Sequence, residues 1–246
     1  MGLVVVVGAS RGIGLELVRA YRARGEDVLA TVRTSSEHLE ATGARVVDGI
    51  DVTDPPSLQK LKDAVAGTPV AVLVLNAGYL GQASPSDPDA FAASCARSFA
   101  INATAPVLVV DALRAALVQG SKVLLLGSRA GSSAMQENAA FGDMLPYRMS
   151  KAAAHLAVAN LAVQYRERGV AFVSVCPARV ATQMTADGFG WEAGMETARG
   201  SVMTPAETVP VVMEIVDSTN MENSGAFRGV SFDARDGKRY PVDCVF

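Results

Sequence analysis

The stretch Leu3-Val4-Val5-Val6-Val7-Gly8-Ala9-Ser10-Arg11-Gly12-Ile13-Gly14 decides the architecture of this chain. Its first five residues are apolar without interruption, the pattern of a strand buried on both faces of a parallel sheet. Three glycines follow, and then Ile13, Leu15, Leu17, Val18 and Tyr21 recur at helical spacing. A strand that turns through glycines into a helix makes an anion cradle. The glycines let backbone approach a phosphate, and the helix presents unpaired N–H groups and the positive end of its dipole. The spacing is G-x-x-x-G-x-G, not the G-x-G-x-x-G of the general dinucleotide fingerprint. An ordinary turn would also account for three glycines, but their place between strand and helix favours the cradle. Gly8, Ser10, Arg11, Gly12, Ile13 and Gly14 are therefore candidate phosphate contacts.

Outward from this turn, strands and helices alternate. Apolar runs predict strands at Asp27–Val32, Ala44–Ile50, Val70–Leu75, Lys122–Gly127, Val170–Cys176 and Ala226–Phe232. Helices are expected at Pro55–Ala66, capped by Asp54, at 87–118, at Tyr147–Arg168, between Pro146 and Gly169, and at Pro205–Asp217. This order implies one α/β domain over residues 1–246: a Rossmann-type, doubly wound parallel sheet of about seven strands, with helices on both faces. Ala130–Leu145 and Gln183–Thr204 lack periodicity and read as loops, with a small lid around 183–204.

Composition agrees. Of 246 residues, 50% are hydrophobic and 19% charged, which excludes a disordered chain. Lys plus Arg is 22 against 25 Asp plus Glu, a net charge of −3 with no lysine-rich block, so neither nucleic acid nor a membrane surface is an expected partner. No uninterrupted run reaches the ~18–20 apolar residues of a membrane span, and Leu3–Val7 is too short for a signal peptide. Cys95, Cys176 and Cys244 are odd in number and far apart, which suits a reducing, cytoplasmic setting.

Two further clusters carry chemistry. The second strand ends Ala30-Thr31-Val32-Arg33 without the acidic residue that holds ribose hydroxyls in NAD-specific folds. Arg33, with Arg11, suits a 2′-phosphate instead, so NADP(H) is favoured over NAD(H), although two solvated surface arginines would read the same way. Tyr147 and Lys151 stand four apart at a helix start, on one face. A phenol of pKa ~10 is a poor acid or base near neutrality, and a neighbouring ammonium is expected to lower it. Ser128 comes directly off a strand end, with Ser132 and Ser133 as rivals. Asn102 lies four residues before Pro106, which has no N–H to give its carbonyl, so the helix should kink there.

Taken together, the glycine turn, Ser128 and Tyr147/Lys151 resemble the short-chain dehydrogenase/reductase family, and the resemblance spans nearly the whole chain. It implies that Asp51 and Val52 contact adenine, that Asn76-Ala77-Gly78 packs beside the cofactor, and that Pro177, Val180 and Thr182 contact the nicotinamide end. It implies a catalytic set of Asn102, Ser128, Tyr147 and Lys151, with NADPH-dependent reduction of a small carbonyl substrate. Ser128 would orient the carbonyl, Tyr147 donate the proton, Lys151 tune Tyr147 and hold the ribose, and a water on the Asn102 carbonyl resupply protons. Alcohol oxidation, epimerisation or dehydration on the same scaffold, or a non-enzymatic NADP-binding signalling role, are the alternatives. A homodimer or homotetramer through the two long helices is also implied.

Val7, where many members have Thr, and Ala178, where glycine is usual, depart from the pattern. So does the separation of Ser128 from Tyr147, which places an expected flap at 132–145. Gly237-Lys238 and Tyr240-Pro241 resemble the compact C-factor/sniffer-type carbonyl reductases. His38 and His155 read as surface or packing residues, too separated for a metal. Arg129 and Arg179 read as solvated, Met135, Met144 and Met184 as possible pocket lining, and Phe189 and Trp191 as lid residues facing substrate or packing.

Overall fold

In the computed structural model, which describes residues 2–134, 144–197, 200–232 and 238–245, Leu3–Val7 form β1 in the interior of a sheet of eight strands among the described residues. No residue of β1 is more than 1% exposed. Leu3, Val5 and Val7 pack into the core on one face, and Val4 and Val6 into the core on the other. The unbroken apolar run is thus what a strand covered on both sides requires.

From β1 the chain runs through α1 (Gly12–Ala23), β2 (Asp27–Thr31), α2 (Glu37–Glu40), β3 (Arg45–Val47), α3 (Pro55–Val65), β4 (Val70–Leu75), α4 (Pro88–Phe99) and α5 (Ala105–Ala112). Then come β5 (Lys122–Leu126), α6 (Leu145–Gln164), β6 (Ala171–Cys176), α7 (Gln183–Phe189), β7 (Glu196–Thr197), β8 (Gly200–Ser201), α8 (Pro205–Ser218), β9 (Ala226–Phe232) and β10 (Arg239–Asp243). The sheet order is β3-β2-β1-β4-β5-β6-β9-β10. The first seven strands pair in parallel; β10 pairs antiparallel to β9. The expected seven parallel strands therefore gain an antiparallel eighth at the edge. The sequence pattern assigns no strand to its Arg-Tyr-Pro-Val-Asp stretch, and an edge position tolerates its proline.

Local signals explain several boundaries. Asp54 accepts a hydrogen bond from the Ser57 N–H at 3.1 Å and caps α3, with Pro55 in the first turn. Thr204 and Glu207 cap α8 reciprocally. The expected continuous helix over 87–118 is instead α4 and α5 joined by a π-helical turn, Ala100–Thr104, and α5 ends at Ala112. In that turn the Ala105 N–H reaches back to the Ala100 carbonyl, five residues away. Pro106, which cannot donate, lies directly after it, and such turns absorb the missing bond. By length and mean hydropathy Pro88–Ala112 would also span a bilayer, which no uninterrupted run foretold; nearly half of that stretch is buried against the rest of the protein.

Candidate active site

The strand order reverses between β1 and β4, and there the strand C-termini open a cleft of about 480 Å³. Gly8 and Gly12 have φ of +87° and +58°, which side chains rarely adopt. α1 begins at Gly12; Arg11 caps it with no side-chain hydrogen bond, and its first turn has no acidic residue. Its leading N–H groups thus face the cleft without a protein anion to satisfy them. Gly8, Ser10, Arg11, Gly12 and Ile13 line the cleft, as expected. Gly14 does not. It is buried, and a Cβ there would come within 2.5 Å of the Asn76 amide nitrogen, which itself donates to the Gly8 carbonyl at 2.5 Å. Gly14 is needed for close packing of turn against strand. The Asn76 and Ala77 N–H groups donate to Val7, so Asn76-Ala77-Gly78 locks β4 to the turn and lines the cleft.

At the outer end, Arg11, Arg33 and Asp51 are exposed and line the same cleft as Val52. The Asp51 carboxylate accepts from the Thr53 hydroxyl at 2.7 Å and N–H at 2.9 Å. Those bonds hold it below the usual carboxylate range, helped by Arg33 and Arg97 nearby. Arg97 is a lining residue that sequence reasoning missed; its guanidinium carbon sits 4.3 Å over the Tyr79 ring. An arginine on an exposed helix carries no signal for this.

At the inner end, α6 presents Tyr147 and Lys151 on adjacent turns, the Lys151 Nζ 5.7 Å from the Tyr147 ring centre. Lys151 is buried and donates to the Leu126 carbonyl at 2.7 Å. Ser128 follows β5, accepts from the Ala130 N–H at 3.2 Å, and its side chain acts on the Tyr147 phenol, lowering its pKa. Asn102, 1% exposed, sits in the π-helical turn behind the cleft wall. Its Nδ2 donates to the Tyr79 carbonyl at 2.8 Å and to the Ser150 hydroxyl at 2.9 Å, and its Oδ1 accepts from the Tyr79 N–H at 2.8 Å. The Ser150 hydroxyl donates to the Tyr147 carbonyl at 2.7 Å. Asn102 thus ties the loop after β4 to α6.

The electrostatics correct one expectation. Burial pushes the Tyr147 phenol up to about 12, and the Ser128 side chain offsets this only in part. Burial lowers the Lys151 ammonium to about 8. The protonated phenol's shift is set by burial and Ser128, while the Lys151 amine donates to the Leu126 carbonyl and is itself desolvated.

Pro177, Val180 and Thr182 line the cleft, and Thr182 packs on Gly12. Ala178 has φ +66°, so the alanine in place of glycine occupies a left-handed backbone rather than making a neutral change. In the lid, α7 carries Met184 into the cleft lining. Phe189 and Trp191 pack on each other, ring centres 4.8 Å apart, and do not line it. Arg129 is half-buried rather than freely solvated: it donates to the Val230 carbonyl at 3.3 Å and bonds Cys244. Arg179 packs against Gly200. Met144 is buried; Met135, Gly237 and most of the expected 132–145 flap lie outside the described residues. His38 is exposed, whereas His155 is buried and hydrogen-bonded to the Ser128 backbone, a role its lone position in the sequence did not reveal.

A doubly wound sheet with an anion cradle at its reversal and a Ser-Tyr-Lys group at the inner end of its cleft defines a dinucleotide-dependent oxidoreductase. The short chain dehydrogenase pattern matches residues 2–193, and the chain belongs to that family. A 1-hydroxy-2-glutathionyl-2-methyl-3-butene dehydrogenase of Rhodococcus sp. (strain AD45) is 32% identical over 93% of this chain and 96% of its own. A carbonyl reductase from chicken fatty liver, solved with NADPH bound, shares the fold with a TM-score of 0.80 and 24% identity, over 100% of this chain and 99% of its own. A short chain dehydrogenase from Burkholderia cenocepacia J2315 in complex with NADP has a TM-score of 0.75 and 26% identity, over 91% of this chain and 94% of its own.

Proposed function

We propose that this protein reduces a ketone or aldehyde to an alcohol with NADPH. The observation that carries the reading is the juxtaposition of Ser128, Tyr147 and Lys151 at the inner end of a cleft whose outer end holds an uncapped helix N-terminus and two arginines. The glycine turn fits a pyrophosphate, because backbone conformation and free N–H groups there leave room and donors for one. Arg11 and Arg33 would hold the 2′-phosphate, Asp51 and Val52 the adenine, and Lys151 the nicotinamide ribose; Pro177, Val180 and Thr182 would hold the nicotinamide end. NADP-bound relatives of the same fold support this choice.

When bound, NADPH supplies the hydride. Ser128 holds the substrate oxygen against Tyr147. With its pKa near 12, Tyr147 is protonated at neutral pH and able to donate to that oxygen. The resulting phenolate is stabilised by the charged form of Lys151, and the Asn102 carbonyl holds water for proton return. Exclusion of water from this end strengthens each of these interactions.

Alcohol oxidation is the second reading, favoured by the likeness to a named dehydrogenase. Loss of NADPH absorbance across a panel of ketones and aldehydes, against NADP⁺ reduction with the matching alcohols, separates the two. NADPH binding with no turnover in either direction would overturn both. Met149, Leu156 and Val163, seven apart on α6 and all exposed, support self-association as a homodimer or homotetramer. Three free thiols support a cytoplasmic setting.

A further inference from the structure

We infer that His155 is a positioning residue that aims Ser128 at Tyr147; the inference deepens the proposed function and rests on it for the meaning of turnover. His155 follows Tyr147 and Lys151 at four-residue intervals on α6, so all three project from one face of the helix. It is 1% exposed and does not line the cleft, so it touches neither substrate nor cofactor.

Its contacts are directional. Nε2 lies 2.9 Å from the Ser128 carbonyl oxygen and 3.4 Å from the Ser128 nitrogen. The shorter contact, to oxygen, makes Nε2 the protonated nitrogen. Nδ1 then accepts from the Ser174 hydroxyl at 2.7 Å. Burial, with Lys151 nearby, holds the imidazole to about 4, so at neutral pH it has the one donor and one acceptor these partners need. Phe227 packs on the ring at 4.1 Å. The other side lies so close to Gly127 that a Cβ there would be 2.5 Å from the imidazole Cε1.

The position of Ser128 gives these contacts their consequence. β5 ends at Leu126, and the Gly127 N–H makes a last backbone bond to Val175 at 2.8 Å. Ser128 is the first residue beyond. Its carbonyl accepts from the Gly131 N–H at 3.0 Å and from His155, so two donors fix the plane of that peptide and with it the backbone from which the Ser128 side chain projects. A residue present only to fill space against Phe227 would need neither nitrogen.

The test is His155→Phe, which keeps a planar ring and removes the donor, beside His155→Gln, whose amide N–H reaches as far as the imidazole Nε2. A displacement of the reacting group costs on the order of 100-fold. His155→Phe is expected to lose about that much in kcat, with NADPH affinity by fluorescence titration unchanged, and His155→Gln to recover most of it. Crystal structures should show the Ser128 hydroxyl turned from Tyr147 in His155→Phe and restored in His155→Gln. Equal kcat in the parent and His155→Phe, or Ser128 undisplaced there, overturns the inference. If His155→Phe does not fold, Ser174→Ala replaces it: a lowered kcat at unchanged NADPH affinity supports positioning, and parental kcat overturns it. Where the parent turns over no carbonyl or alcohol, the proposed function fails, and the Ser128 orientation in the crystals still decides the role of His155.

Discussion

At the outer end of the cleft Arg11, Arg33 and Asp51 are all exposed, whereas at the inner end Lys151 is 5% exposed and Asn102 1%. The outer end offers water-screened charges and backbone N–H groups from one continuous segment, Gly8–Gly14. The inner end draws side chains from α6, the π-helical turn and the end of β5 together, with Lys151 and Asn102 buried and Ser128 and Tyr147 half-buried. Exposed charges select and orient an anionic ligand but exert little pull on each other through solvent. Desolvated groups have shifted pKa values and strong local fields, which is what proton transfer needs. On the proposed function, recognition and chemistry are thus separated along one groove by solvent access.

Four outcomes would break or sharpen this contrast. The largest effect is expected for Tyr147→Phe: kcat falls about 10³-fold, while NADPH affinity by fluorescence titration stays that of the parent. A matching loss of affinity would mean that the two ends are not separable. Next, Arg33→Ala should weaken NADPH about tenfold and leave NADH unchanged, and raising the salt concentration should shrink the difference. A loss insensitive to salt would place Arg33 in a buried contact.

The third concerns pH. Reduction needs Tyr147 protonated and Lys151 charged. Tyr147, raised to about 12, stays protonated throughout the usual range; Lys151, lowered to about 8, loses its charge as pH rises through that value. kcat/KM for carbonyl reduction should therefore be level below pH 8 and decline above it, and a profile level to pH 10 would remove Lys151 from the inner electrostatics. The smallest effect is expected for Ala178→Gly. Relief of the left-handed alanine should add about 1 kcal/mol, or roughly 2 °C in Tm by calorimetry, with turnover unchanged.

The two ends also differ in how far the sequence exposes them. The glycine turn is legible because its parts are adjacent and each has a local reason: an apolar run, a forced backbone conformation, a helix start. Tyr147 and Lys151 are legible because helical spacing alone puts them side by side. Arg97 and His155 are not, since their partners lie 18 or more residues away, over Tyr79 and against Ser128 and Ser174. The kink at Asn102 could be foreseen from Pro106, but not its form as a π-helical turn with the side chain clamping Tyr79. β10 was missed because a five-residue edge strand with a proline has no pattern of its own and gains its pairing only from β9.

The sequence by itself determined the sheet, the cradle and the candidate reacting groups, because buried runs, glycines and helical spacing act through neighbours in the chain. Only the tertiary structure decided that the Tyr147 phenol is raised rather than lowered, that Ala178 bears a left-handed backbone, and that His155 sits behind Ser128. Those depend on which surfaces close over a side chain and keep water out, and that is settled by elements far apart along the chain.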